Sequence, residues 1–331
     1  MTATLFSTNP WLTDESKFPH AASQRDQLSF CVNYAVLAPS IHNTQPWLFR
    51  LLDDAIELYA DRTRMLPETD PLGRELTISC GAALANLLVA VRWFGYEGWV
   101  QYMPDRNTPD LLARVRIGRS RRPGYQDETT FRSITRRRSV RKSFQTRPVP
   151  RELQRRLIWL VSEYGCWLHL AESERDRSRV SGLVESAQQQ LLDNAPYQAE
   201  RNAWICTGER ATVAAGSNAS DKIDSLAGKR WLERDRELIA TSPALLILGT
   251  DDDSPLSWLH AGEALQHMLL RSESEGVSAS FLNQPCQIPH YREELRALTG
   301  RNGPPQTILR MGYSSGNDPV PRRPVQDVMI P

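Results

Sequence analysis

Two blocks of this 331-residue sequence repeat each other at a spacing of 181 residues. Gly81-Ala82-Ala83-Leu84 aligns with Gly262-Glu263-Ala264-Leu265, and the same offset pairs Leu88 with Leu269 and Gly95 with Gly276 without a gap. Each block reads as an apolar helix, a glycine stop and a strand. Each is followed later by a strand ending in a similar phrase, Arg116-Ile117-Gly118 and Arg310-Met311-Gly312. Glycine-capped amphipathic helices can resemble one another by chance, but here the order of elements matches as well as the letters, which favours duplication. The expectation is an α+β fold of two related halves, residues 1–120 and 121–331, packed as an internal pseudo-dimer. The repeated helices should lie at the seam, because each is apolar on more than one face.

Composition excludes several classes. Lys plus Arg number 40 and Asp plus Glu 39, so no global charge favours nucleic acid or a membrane surface. No uninterrupted apolar run approaches the roughly 20 residues that cross a bilayer, and residues 1–17 lack a signal-peptide pattern. A cytoplasmic protein, with neither nucleic acid nor membrane as partner, is expected. The cysteines at 31, 80, 166, 206 and 286 are odd in number and contain no C-x-x-C, which predicts buried thiols rather than disulfides or a zinc site.

Apolar periodicity and turn residues predict helices over 24–37, 71–94, 128–137, 150–164, 173–192 and 255–275. Strands are predicted over 47–52, 55–60, 99–103, 111–117, 167–170, 244–248, 277–281 and 307–311. The charged, Gly/Pro-containing stretch 118–127 reads as a linker, and 203–231, rich in small residues, as a candidate lid.

Two motifs carry chemistry. In Ala38-Pro39-Ser40-Ile41-His42-Asn43-Thr44-Gln45-Pro46-Trp47, small and amide residues leave backbone groups and the Asn43 and Gln45 amides available to a polar heterocycle. The bland alternative is a helix end followed by a proline turn. In Arg136-Arg137-Arg138-Ser139-Val140-Arg141-Lys142, arginines and a hydroxyl within one turn suit a phosphate. With Arg114, Arg116, Arg119, Arg121 and Arg122 nearby, a basic nucleic-acid module is a rival, but no interleaved aromatic platform accompanies these arginines. His260, Glu263 and His267 share a helix face without a second ligand cluster, so a polar stripe is preferred to a metal site. Asp251-Asp252-Asp253 lacks a glycine-rich phosphate loop and reads as a solvated turn.

Together the segments Pro39-Ser40-x-x-Asn43-x-Gln45 and Arg137-Arg138-Ser139-x-Arg141 resemble the two signatures of FMN-dependent nitroreductases. With Asp70-Pro71-x-Gly73-Arg74 and Ile78-Ser79-Cys80-Gly81, the chain resembles the Acg family of FMN-binding nitroreductase-like proteins from about Gln24 to Arg323. The resemblance implies a nitroreductase-like fold in both halves. It also implies one FMN, held by Pro39, Ser40, Ile41, Asn43 and Gln45 of the first half and by Arg137, Arg138, Ser139 and Arg141 of the second. Ordinary nitroreductases carry the arginine motif first and build two sites across a dimer. Here the order is reversed and each motif occurs once, as in a fused dimer that has lost one site. By the same resemblance Asn283 and Gln284 pass the flavin N5 edge, although the usual Glu-Gly pair is missing, and Arg322 or Arg323, the latter preferred, reaches the phosphate. The implied activity passes hydride from NADH or NADPH through FMN to a nitro compound, quinone or similar acceptor. The alternative is a flavin-sequestering or stress-related protein with little turnover. With a dimer already inside the chain, a monomer or a homodimer is expected.

Overall fold

The computed structural model describes residues 9–206, 236–315 and 319–331. Helix α1 (Gln24–Ala35) leads through a tight turn into strands β1 (Trp47–Leu51) and β2 (Ala55–Ala60), which pair antiparallel around Asp53-Asp54. Helix α2 (Arg74–Trp93) follows, then β3 (Tyr96–Tyr102), β4 (Leu111–Ser120), α3 (Tyr125–Arg136), α4 (Arg151–Ser162), β5 (Cys166–Leu170), α5 (Glu174–Leu192) and α6 (Ala195–Cys206). Beyond residue 236 come β6 (Ala244–Thr250), α7 (Pro255–Ser274), β7 (Ser278–Phe281), α8 (Gln284–Gln287), α9 (Pro289–Thr299), β8 (Pro305–Gly312) and β9 (Met329–Ile330).

Among the described residues the strands form two sheets, ordered β3-β4-β2-β1-β9 and β5-β6-β8-β7, and every strand pairing there is antiparallel except β1 with β9. Strand β6 is buried along its whole length because both faces are covered. Leu246 and Leu248 join one apolar cluster, and Leu245 and Ile247 another. Such a strand must read as a continuous apolar run, as it does. The second half also reaches into the first: Phe131 and Ile134 of α3 and Val325 and Val328 of the tail lie in the core built around α1, α2 and the first sheet.

Helices α2 and α7 cross at the repeated glycines, and the contact is reciprocal. A Cβ on Gly81 would sit 2.1 Å from the Leu259 carbonyl oxygen and 2.9 Å from Gly262 Cα. A Cβ on Gly262 would sit 2.0 Å from the Ile78 carbonyl oxygen and 2.8 Å from Gly81 Cα. Leu259 follows Ile78 by the same 181 residues that separate the glycines. Only glycine permits this approach. Beside the crossing, Gln266 donates to Asn86 at 2.6 Å in a fully buried bond.

Several sequence expectations are corrected. The stretch 118–127 is mostly structured: β4 runs on to Ser120 opposite Tyr96, and α3 begins at Tyr125 with Asp127 accepting from Gly124 N–H. Helix α2 starts at Arg74, not Pro71, after Gly73 in a left-handed conformation (φ 69°). It is also long and apolar enough to span a bilayer, but 83% of that window is buried inside the protein. Helices α6, α8 and α9 and strand β9 were not anticipated. Cys31, Cys80, Cys166 and Cys286 are free and buried. Within the proposed lid, residues 207–231 lie outside the described residues.

Glu263 is buried on α7, with Tyr102 donating to its Oε1 at 3.3 Å and no partner for Oε2 among the described residues. Burial pushes this carboxyl from 4.5 up to about 8, opposed by the Tyr102 bond. The folded state therefore keeps a proton that the unfolded chain releases above its lower pKa, and stability attributable to this group falls as pH rises from 4.5 towards 8. Glu263→Gln cannot ionise, so its melting temperature relative to wild type should climb between pH 5 and pH 8. Parallel thermal melts of the two proteins at several pH values check this.

Candidate functional site

The turn after α1 is strained. His42, Asn43 and Gln45 all adopt positive φ, at 44°, 55° and 50°. Non-glycine residues rarely enter this region, and three within four positions mark a turn that its surroundings enforce. The enforcing contacts are local and tertiary: Gln45 N–H donates to Ser40 Oγ at 2.9 Å, and Ile41 N–H donates to Ser79 Oγ of α2 at 3.3 Å. Burial pushes the His42 imidazole down to about 3, with Arg201 and Arg141 adding to the effect. That ring is neutral, and its buried Nε2 has no partner among the described residues.

The Asn43 and Gln45 amides do not stand open as the sequence reading expected. Asn43 accepts from Arg322 Nη1 at 3.0 Å and donates to the Pro321 carbonyl at 3.2 Å. Gln45 Oε1 accepts from Arg323 N–H at 2.7 Å. Both side chains clasp the C-terminal tail, which β9 holds alongside β1. This contact also separates the two tail arginines. Arg323 bonds to the Gln45 carbonyl at 2.9 Å, to the Asp327 carbonyl at 2.6 Å and to Asp61 at 3.3 Å, so it braces the turn. Arg322, not the preferred Arg323, joins Arg137 and Arg138.

Arg137 follows α3 and is buried, and its Nη2 donates to the Leu37 carbonyl at 3.4 Å. Arg322 Nη2 reaches the same carbonyl at 3.4 Å. Arg138 is half-buried beside them, donating to the Thr135 and Arg137 carbonyls. Arg137 Nε and Nη1, Arg138 Nε and Arg322 Nε are buried with no hydrogen-bond partner among the described residues. Burial first, then Arg138, pushes Arg137 down to about 10, and Glu273 opposes this only in part. Arg322 is lowered by burial and by Arg137 and Arg138. Three clustered cations with unsatisfied N–H groups are costly unless an anion completes them.

From this cluster the chain runs along the second sheet. Ser139 bridges to Ala279 in parallel, and Val140 N–H donates to the Ala279 carbonyl at 2.9 Å. Strand β7 then delivers Asn283 and Gln284. Asn283 Oδ1 accepts from Thr307 Oγ1 at 2.6 Å and Ile308 N–H at 3.1 Å, so its amide oxygen fixes the loop. Gln284 Oε1 is buried without a partner among the described residues. Glu75 of α2 accepts from Gln287 at 3.2 Å, tying this loop to the first half. Arg141 is exposed, and its charge reaches His42 of the turn.

The structure thus brings Arg137, Arg138 and Arg322 to the end of the Pro39–Gln45 turn and leaves Arg323 and Asn283 in supporting positions. Sequence reasoning gave no role to Ser79, quoted only as part of a motif, and missed Trp11, whose ring lies over Arg138 and Arg322. Other signals resolve into ordinary contacts. Arg114 pairs with Glu57, Arg116 with Asp54, Arg121 with Asp127 and Asp253 with Arg292. Among the described residues no group of three or more His, Cys, Asp or Glu is placed to hold a metal.

Comparison with known proteins agrees with the sequence signatures. The nitroreductase-family profile matches residues 134–313, just over half the chain. Rv3131 of Mycobacterium tuberculosis, which carries the name of an NAD(P)H nitroreductase, is 30% identical over 94% of this chain and 91% of its own. The Mycobacterium tuberculosis protein acg, which carries the same description, is 27% identical over 94% of this chain and 97% of its own. Among solved structures, the FMN and NADPH-dependent nitroreductase NfnB of a Sphigopyxis strain aligns with a TM-score of 0.43 and 18% identity, covering 61% of this chain and 97% of NfnB. The chain belongs to the nitroreductase family.

Proposed function

We propose that this protein is an FMN-binding oxidoreductase of the nitroreductase type that takes hydride from NADH or NADPH and passes it to a nitro compound, quinone or similar acceptor. The observation that carries this is the buried arginine cluster. Its orphaned N–H groups fit a phosphate monoester, and it closes on a strained turn contributed by the other half of the chain. In this reading Arg137, Arg322 and Ser139 hold the phosphate by charge-assisted bonds. The Pro39–Gln45 turn and the Gln284 segment flank the ring, and Asn43, Gln45, Arg323 and Asn283 keep those walls in place. Bound FMN supplies reversible two-electron chemistry, and the chain's task is to orient it, exclude water and set the charge around it. Arg141, at the edge of the site, supplies positive charge where an anionic dinucleotide would approach.

The reciprocal glycine contact supports the accompanying proposal of an internal pseudo-dimer: corresponding residues of the two halves meet each other, as in an isologous interface. A single arginine motif and a single turn motif then give one FMN per chain. The family names of the relatives support NAD(P)H as the reductant.

A second reading, a flavin held with little turnover, has one observation behind it. Helix α6 lies against the Ile41–Asn43 turn. Its Glu200 anchors it to the first half by accepting from Glu68 N–H and Thr69 N–H, both at 2.9 Å. A helix over the turn would restrict access to a ring beneath. Purified protein should be yellow with one FMN per chain, and anaerobic NADPH or NADH should bleach it. Steady-state nicotinamide oxidation with a nitroaromatic and a quinone separates the readings: flavin that nicotinamide leaves oxidised would defeat the reductase and favour sequestration.

A further inference from the structure

The N-terminal strap lies over the arginine cluster. Residues 10–12 form a 3-10 turn capped by Asn9, and the strap is pinned at both ends. Trp11 Nε1 donates to the Val320 carbonyl at 2.8 Å, Glu15 pairs with Arg132, and Phe18 stacks on Phe94 at 4.0 Å between ring centres. At the first of these anchors the indole of Trp11 covers the cations. The Arg138 guanidinium carbon lies 3.9 Å from its ring centre and that of Arg322 lies 5.2 Å away. Cation–π attraction of this kind holds a tryptophan face-on without satisfying guanidinium N–H groups, which stay available in the plane of the guanidinium. Arg322 is half-buried, and its Nε is buried with no hydrogen-bond partner among the described residues, so the indole covers the cluster without satisfying it.

Enclosure has a consequence for ligand class. A phosphate monoester ends at the arginines. A diphosphate continues past them to a nucleoside, which needs an exit. The Leu37 carbonyl, holding both Arg137 and Arg322, closes one side of the cluster, and the indole closes another. We propose that Trp11 is a specificity-determining residue that restricts this protein to the flavin mononucleotide and excludes the dinucleotide FAD. The inference rests on the FMN reading above and adds to it a residue that lies outside both signature motifs.

The test uses full-length protein stripped of flavin and titrated with FMN, FAD and riboflavin, following flavin fluorescence. Wild type should bind FMN best, with FAD and riboflavin each weaker by about 100-fold or more. Trp11→Ala should bind FAD at least about tenfold more tightly than wild type does, and narrow the FMN-to-FAD ratio accordingly. Riboflavin, which has no phosphate to be enclosed, should be unmoved. Trp11→Leu keeps an apolar cover of smaller area and should shift the ratio the same way by less. It carries the test alone if Trp11→Ala does not fold, as judged by circular dichroism. An unchanged FMN-to-FAD ratio in the folded variant overturns the role of Trp11 while leaving the flavin reading intact. Failure of wild type to bind FMN would instead remove the reading on which it rests.

Discussion

Arg137→Ala combined with Ser139→Ala is expected to yield a folded, colourless protein. In the absence of flavin, Arg137 is a liability: it is buried, its charge is repelled by Arg138 and Arg322, and two of its N–H groups have no partner among the described residues. Removing it costs one long bond to the Leu37 carbonyl and relieves that repulsion, so the flavin-free variant should melt no lower than flavin-free wild type. With FMN present the sign reverses. Each charge-assisted bond to the phosphate contributes about 1.5–3 kcal/mol, and losing two weakens binding by about 3–6 kcal/mol, a factor of roughly 100 to 20,000. Melting curves with and without added FMN therefore read both halves of the claim: wild type gains stability with FMN by mass action, and the double variant gains none. Arg155→Ala is the control, since that arginine is exposed and pairs with Glu152. Retention of wild-type flavin content by the double variant would remove the phosphate assignment.

How far the sequence reached depended on the range of the interaction involved. Strand β2 has the bounds that its alternation and the Asp53-Asp54 turn predict, because both signals are local. The start of α2 was misplaced because Pro71 is a good first-turn residue anywhere. Gly73 is required by its left-handed backbone (φ 69°), a conformation set where the chain turns into α2 and not marked by any apolar period. Helix α9 carried readable signals, with Pro289 at its start, Leu295 and Leu298 on one face and Gly300 at its end, and these went unread. Strand β9 could not be read, since two residues have no period. Yet β9 anchors the tail beside β1, and the tail's contacts with Asn43 and Gln45 sort Arg322 from Arg323. Both arginine motif and turn motif were visible as residue types in order. Which amides face a ligand and which clasp the tail was not visible, because the partners of Asn43 and Gln45 lie nearly 280 residues away in sequence.

Gly262→Ala is expected to destabilise the protein severely, against the local rule. In a helix interior, replacing glycine by alanine ordinarily gains about 0.5–1 kcal/mol through reduced backbone entropy. At Gly182 on α5 a new Cβ meets nothing within 4 Å, so Gly182→Ala should show that gain as a slightly raised melting temperature. At Gly262 the new Cβ would lie 2.0 Å from the Ile78 carbonyl oxygen. That atom belongs to the backbone of α2, so no side chain can turn aside, and the two helices must separate. Separation loosens the apolar contacts of Leu265 and Ile78 and stretches the buried Gln266–Asn86 bond. Overpacking of this kind costs about 1–3 kcal/mol, and more where backbone must move; a fall in melting temperature of at least roughly 2–6 °C follows for a chain of this size. By reciprocity Gly81→Ala should do the same, since its Cβ would lie 2.1 Å from the Leu259 carbonyl oxygen. The pair should not be additive, because once either substitution has spread the crossing, the second meets space already opened. The damage should also reach the cofactor: α2 carries Ser79, which receives the Ile41 N–H, so movement of this helix loosens the strained turn. Thermal melts and flavin content of both single variants, the double variant and Gly182→Ala decide the matter. A raised melting temperature for Gly262→Ala, matching that of Gly182→Ala, would show that the two helices do not meet at these glycines.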